Sequence, residues 1–592
     1  MKIPRRTGWF VLGLFAAVGG AGCQQPALLR LELQHTFQAD GGPIMAAAFS
    51  PDGAALATAG ETGDLRVLDL PARSVRWRAE PSDHWVGTLA FSPDGRRLAC
   101  LGRDLTMHDA ANGEELLRVR GVGPHGFAWS RDGTRFAYAI GVSLRMCEGE
   151  RTMQVASFEY PLNAVSFADD GALVVGDNVG RVWRVPPQGD KPELRFDHRR
   201  GADDMVRSIA VVCAGGEVFD LPSRGALRRG DKTFAAPGAS FTFAVTPDGS
   251  TFALGGEKRT VRWWREQGAQ WDDFAVAGSV AALALHPNGR TLFVSTYTGQ
   301  QALYERGREP VAVPSHPSRV QEVCISPDGT VLAIKGQKWT LQPLDGRAPR
   351  ALPEALAIDA GRKGSELLVQ LADRVVVLDA GRDVELASVP APQPYQKQNA
   401  AGPGDMLLVE GELRDLKTHA VTKLPREVLL CSFCDVAKAR DGSWAVAGVA
   451  GIEGDFGGLV LCDASGGQMR VVDDGPVYTV AFSHDGTRLY YGCGDGISVG
   501  MGPPMHFLRV RDTKTLKLLH EVRVPVTDWR FLDERRALVC DGNALQVWDV
   551  ERLAAMYTVP LDGPCYGFLL TADCTTLVLT RQREVRVYRL RP

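Results

Sequence analysis

The feature that most constrains this chain is a five-residue phrase that keeps returning. Phe-Ser-Pro-Asp-Gly ends at Gly53 and again at Gly95, and close variants end at Gly133, Gly171, Gly249, Gly289, Gly329, Gly442 and Gly486. The copies are spaced by about 40 residues or by a multiple of it, the mark of a repeat architecture. Weaker copies lie near 206–221, Gly364, Gly404, Glu534 and Asp573. From Gly53 to Asp573 about thirteen such steps fit, which predicts about fourteen units.

Each unit carries the same physical content. Pro presets φ, Asp bonds nearby backbone and Gly suits the exit of a tight turn. In the first unit the turn joins two short apolar runs, residues 45–50 and 54–59, and further turns lead to a third and a fourth run. Four short strands in about 40 residues make one blade of a β-propeller. The runs alternate only modestly, as expected of strands covered on both faces. The predicted fold is all-β: tandem propellers of four-stranded blades, most simply two seven-bladed rings over residues 28–308 and 309–592. Leu29, Leu31 and Leu33 alternate with Arg30, Glu32 and Gln34, so residues 28–38 read as a strand ahead of the first unit. The last unit lacks a fourth strand of its own. Two closures fit: this strand completes blade seven while 310–315 complete blade fourteen, or the N-terminus pairs directly with the C-terminus.

On these repeats the chain resembles the WD40-repeat β-propeller family. Trp548-Asp549 is its signature dipeptide, and Leu68-Asp69, His108-Asp109, Leu378-Asp379, Cys462-Asp463 and Arg511-Asp512 keep only the Asp. The family's Gly-His pair ahead of the first strand is absent nearly everywhere, which puts its buried hydrogen-bond network in doubt and not its blades. The turns also resemble those of TolB-like periplasmic propellers.

The first 23 residues are of another kind. Lys2, Arg5 and Arg6 precede an uncharged apolar stretch from Trp9 to Gly20, then Gly20, Ala21 and Gly22 lead into Cys23. This is the layout of a secretory signal peptide. Small residues followed directly by Cys resemble the lipobox of bacterial lipoproteins, although Gly20 stands where that family usually has Leu. The resemblance implies a signal peptide over 1–22, lipidation of Cys23, a linker over 23–27 and a membrane-anchored protein of the cell envelope facing the periplasm or exterior. A plain cleaved signal and an uncleaved anchor are the other readings. The chain has 12 Cys, so 11 remain beyond Cys23, an odd number without the spacing of a disulfide framework.

Lys plus Arg number 67 against 70 for Asp plus Glu, which leaves no basic footprint for nucleic acid. The sequence has no Gly-x-Ser-x-Gly elbow, no His-Glu-x-x-His and no phosphate-binding loop. The Gly-rich run from Gly492 to Gly500 follows a strand and reads as a hairpin loop. Recurrence of Asp52, Asp94, Asp132, Asp248, Asp328 and Asp485 argues for turn geometry rather than a carboxylate site. Cys431 and Cys434 form the single Cys-x-x-Cys, with no second ligand pair for zinc.

The leading expectation is therefore a non-catalytic, membrane-tethered scaffold that binds another protein and carries no cofactor. The alternative is a propeller enzyme or a cofactor or metal carrier using a central channel or a top-face site. The connections from second to third strand are longest in units eleven and twelve, and they open on one face of adjacent blades. They offer Glu453, Asp455 and Phe456 from one loop and Met501, Met505, His506 and Phe507 from the other as partner-binding candidates. Cys431, Cys493, Met501, Met505 and His506 form a weaker soft-ligand set of the kind copper(I) takes.

Overall fold

The computed structural model describes residues 29–591 apart from short internal stretches. These are 83, 124–125, 150, 188–190, 199–207, 224–225, 236–239, 266–269, 362, 391–398, 402–405, 410–411, 417–420 and 424–430. The remainder are 440, 442, 451–455, 464–468, 473–476, 484, 495–505, 524–527, 534, 541–543, 560, 562–566, 572 and 582–583. The described chain is all-β without an α-helix, and its strands form thirteen four-stranded sheets and one five-stranded sheet, all paired antiparallel. That is the predicted blade architecture. We number the sheets 1 to 14 in chain order, starting from sheet 1 over 44–79.

Sheet 1 shows why each unit folds as it does. Its strands are Ile44–Phe49, Ala55–Gly60, Leu65–Asp69 and Ser74–Ala79. The second strand is buried at every position, because neighbouring sheets cover both of its faces. The outermost strand of sheet 2, Glu115–Val119, is exposed at four of five. Burial thus peaks at the second and third strands, is partial at the innermost strand, Ile44–Phe49, and is lowest at the rim, where a solvent face lets side chains alternate.

The repeated phrase closes the first hairpin in the clear copies that the structure describes in full. In sheet 1, Ser50 Oγ donates to Asp52 Oδ1 at 2.5 Å and accepts from the Ala55 amide at 2.9 Å. Asp52 Oδ1 also accepts from the Ala54 amide at 3.0 Å, and Gly53 turns at φ 73°. Ser, Asp and Gly each do one job there.

First strands of sheets 1 to 7 pack one on the next, and that of sheet 7 returns to sheet 1. Ile44, Leu56 and Leu68 meet Ala282, Ala284 and Phe293 at this seam. Sheet 8 packs likewise against sheet 14, with Ile325, Leu332 and Ile334 against Val578, Val585 and Val587. Sheets 1 to 7 therefore close into a ring, and the contact of sheet 8 with sheet 14 brings the two ends of the second run of seven sheets together.

Of the two closures, the structure takes the direct one. Arg30–Gly42 pairs antiparallel with the last strand, Glu584–Arg591, from Arg30 opposite Arg591 to Gln38 opposite Glu584. It becomes the fourth strand of sheet 14, while sheet 7 is completed by its own Val311–Ala312. The alternative, with the N-terminal strand in blade seven and 310–315 in blade fourteen, is not formed. Its physical obstacle is that Val311–Ala312 already covers the edge the N-terminal strand would need. A cut between residues 308 and 309 also parts Val311–Ala312 from the sheet it completes.

Candidate functional site

Direct closure makes the chain cross between rings twice. Residues 39–42 leave sheet 14 for sheet 1, and residues 313–321 leave sheet 7 for sheet 8. The two crossings touch: Ala39 lies opposite Ser318 and Gly42 opposite His316. Their approach is close enough that a Cβ on Gly42 would stand 2.5 Å from the Pro317 carbonyl oxygen. At Gly60 a Cβ would meet Asp64 Oδ1 at 2.6 Å and the His316 ring and Cβ at 3.0 Å.

His316 is the centre of this crossing, with a fully buried side chain. Its Nδ1–H donates to Asp64 Oδ2 at 2.6 Å, since a carboxylate only accepts. Nε2 is then the acceptor for the Thr58 hydroxyl at 2.9 Å. Thr62 Oγ1 donates to the other oxygen of Asp64 at 2.9 Å, and Arg66 Nη1 reaches the Ser315 carbonyl at 2.7 Å. Ser318 Oγ and the Arg319 amide both donate to Glu61 Oε1, at 2.9 and 3.0 Å. Burial pushes the His316 pKa down, against the pull of Asp64, so the imidazole is held neutral. Burial also acts to raise Asp64, but the hydrogen bond from His316, then that of the Thr62 hydroxyl and the charge of Arg66, outweigh it and leave the carboxyl below its usual range.

Sequence reasoning placed this network in doubt and missed its source. Sheet 1 has no His ahead of its first strand; the crossing that leaves sheet 7, its neighbour, delivers one. The available signal was Ser315-His316 shortly before Val320 and the ISPDG turn, where a Gly-His pair would stand.

The repeated aspartates are occupied by turn geometry. Ser483 Oγ donates to Asp485 Oδ1 at 2.6 Å, and the Ser483 hydroxyl, the Thr487 amide and then the Thr487 hydroxyl hold its pKa at about 2. Asp132 is held at about 2 by Ser130 and Thr134 in the same way. Among the described residues no three His, Cys, Asp or Glu gather as a metal site.

Eight described cysteines are free thiols and six of them are buried. Burial raises the Cys100 and Cys462 thiols to about 12. Cys493 is 1% exposed, in the core between sheets 11 and 12 with Val477 and Tyr491. Cys431 starts the first strand of sheet 11, opposite Ala450, and Cys434 lies opposite Gly448.

The loop candidates lie on the connections from second to third strand of sheets 11 and 12. Glu453 and Asp455 fall outside the described residues, as do Met501 and Met505. Phe456 opens the strand Phe456–Cys462, and His506 opens His506–Asp512. Phe507 lies opposite Cys493 and packs partly buried against the core between the two sheets.

No curated protein matches this chain. Residues 31–69 match the family model described as WD40: WD domain, G-beta repeat. The matched segment starts in the fourth strand of sheet 14 and ends at Asp69 in the third strand of sheet 1, so the repeat straddles two sheets and the ring closure. WD40 propellers generally act as non-catalytic scaffolds that bind other proteins. This match, with four-stranded sheets along the whole described chain, supports a WD40 β-propeller.

Proposed function

We propose that the protein is a non-catalytic scaffold, tethered to a membrane, that holds another protein on the loop-bearing face of its rings. The observation that carries this reading is the WD40 match at 31–69 within a repeated blade scaffold. It agrees with the use of the repeated carboxylates, each hydrogen-bonded into its own turn. A rigid scaffold with longer loops on one face is a common design for protein recognition. The docking patch is assigned to Glu453, Asp455 and Phe456 with Met501, Met505, His506 and Phe507. Met side chains adapt well to a partner surface. The tether is assigned to Cys23, lipidated after removal of residues 1–22, which places the rings at the surface of the cell envelope. Residues 23–27 then act as the linker.

The test is paired capture from solubilised membranes with the full chain and with a variant in which residues 497–506 are shortened to a two-residue turn. The reading expects a partner held by the full chain and lost from the shortened one. A folded variant that keeps every partner removes the patch. Separately, Cys23→Ser should move the protein to the soluble envelope fraction, and unchanged membrane retention would remove the tether.

A further inference from the structure

The closing strand fixes where the chain enters sheet 14. Arg30 lies opposite Arg591 and Glu32 opposite Arg589, while Gln38 lies opposite Glu584. Arg589 in turn lies opposite Thr576, and the Leu590 amide donates to the Thr575 carbonyl, at the turn that joins the first two strands of that sheet. The closing strand therefore starts at the turn face and ends at the opposite face, where the second strands run into the third. Its start is held in place. Leu29 is 8% exposed and packs with Leu538, Phe568 and Leu590 between sheets 13 and 14, and its amide donates to the Tyr557 hydroxyl at 2.9 Å.

The turns of neighbouring sheets share this face. A Cβ on Gly486 of sheet 12 would stand 3.8 Å from that of Ala439 in sheet 11. Asp485 and Arg535 line one cleft between sheets 12 and 13, and Cys574 Sγ of sheet 14 donates to the Phe531 carbonyl of sheet 13 at 3.4 Å. The connections 451–455 and 495–505, at the other ends of their second strands, thus lie on the face opposite the point where the chain enters.

Two lengths decide what this means for a tethered chain. From Leu29 to Gln38 the strand rises about 30 Å. The six residues from Cys23 to Leu29 reach about 20 Å when fully extended. With the connections turned toward the bilayer, Leu29 would stand about 30 Å above it, beyond the reach of the linker. That orientation is closed to the anchored protein.

We infer that the tethered protein stands with the turn face of sheets 13 and 14 toward the bilayer, and offers the patch on sheets 11 and 12 to a water-soluble partner on the side away from it. The inference rests on the tether and docking readings and adds an orientation and a class of partner to them. Lipid headgroups and membrane-embedded segments of the same bilayer are out of the patch's reach.

Energy transfer tests it, with the chain purified from membranes and returned to vesicles that contain a rhodamine-headgroup lipid. A donor fluorophore is carried by an azide-bearing residue in place of Arg552 or of Lys338. Arg552 is exposed on a turn-face turn of sheet 13, and Lys338 is exposed on the second-to-third-strand connection of sheet 8, which packs on sheet 14. Transfer to the lipid should be at least twofold stronger from position 552 than from position 338. Inserting about twenty Gly-Ser residues after residue 27 should shrink that contrast, because the longer linker spans the height of the sheets. Equal or reversed transfer in the lipidated chain, or a contrast that the longer linker leaves unchanged, overturns this inference alone. A Cys23 found free of lipid by mass spectrometry removes the tether and this inference with it, so the two failures are told apart.

Discussion

The repeated turn and the inter-ring crossing solve the same problem, reversing the chain at the end of a sheet, in opposite ways. The turn at Ser50 to Gly53 satisfies itself within six residues and recurs around both rings. The two crossings meet at a single place, and their contacts join residues more than 250 positions apart: Thr58 with His316, Glu61 with Ser318, Gln301 with the Gly42 carbonyl. Local, repeated devices share their load. A single non-local device carries its load alone, so damage there should spread further.

Removing the strand that starts the crossing should have the largest effect. Deleting residues 29–38 uncovers the last strand of sheet 14 along its length and leaves an open edge in the second ring. We expect that ring to be cleaved first in limited proteolysis, while fragments from 44–312 persist. Equal resistance of deleted and full chains would contradict direct closure.

The next effect is at the pin. His316→Ala leaves the Asp64 carboxylate buried without its main partner, which costs about 2–3 kcal/mol by the usual penalty for an orphaned buried acceptor. His316→Gln, which keeps a donor, should recover part of it in denaturant titrations. The pH dependence gives a sharper reading. Folding depresses the His316 pKa below 6.5, so the unfolded chain binds the proton more readily. Its contribution is complete above pH 6.5 and is lost as pH falls toward the depressed folded value. His316→Gln should therefore flatten the stability–pH profile just below pH 6.5. Asp64, also depressed, adds a separate loss below about pH 4.

Gly42→Ala comes third. Its new methyl would meet Pro317 backbone, which cannot swing away as a flexible side chain would. A cost of about 1–3 kcal/mol is expected from overpacking, measurable as a lowered melting temperature. Gly42 is not in the left-handed region, so this cost is steric; Gly307→Ala, at φ 74° with nothing within 4 Å of a Cβ, gives the opposite case of backbone strain without a clash.

The contrast also explains what could be read from the sequence. The fourteen units were legible because every clear copy spells its own turn, down to the left-handed glycine. Ring closure was not, because a strand such as 30–38 pairs through backbone bonds that leave no mark on the identity of its partner. The His316 network was hidden for a related reason. Its residues come from two repeats seven blades apart, and only the packing of sheet 7 on sheet 1 brings them together. Of the two connections expected to be long, the one in sheet 12 spans 495–505, whereas the one in sheet 11 spans only 451–455, because its extra residues lengthen the flanking strands Trp444–Ala450 and Phe456–Cys462.

The smallest effect tests the repeated device at one of its worn copies. In sheet 14 the turn reads Thr571 to Cys574, with Cys in the place of Gly. Thr571 Oγ1 still donates to Asp573 Oδ1 at 2.7 Å and accepts from the Thr576 amide at 3.0 Å, so the hydrogen bonds survive. Cys574 nevertheless adopts φ 57°, in the left-handed region where a side chain costs about 1–2 kcal/mol. Cys574→Gly relieves that strain but adds freedom to the unfolded chain, worth about 0.4–1 kcal/mol, and gives up the contact of the thiol with the Phe531 carbonyl at 3.4 Å. The net expectation is a stabilisation of about 0.5 kcal/mol, the left-handed strain outweighing entropy and the weak sulfur contact. Gly53→Cys, the reverse change in sheet 1, should be costly, because it adds left-handed strain at φ 73° and its Cβ would displace the His286 ring from the Gly53 carbonyl. If Cys574→Gly instead lowers the melting temperature, the turns are not interchangeable parts, and the sulfur contact with sheet 13 matters more than backbone strain.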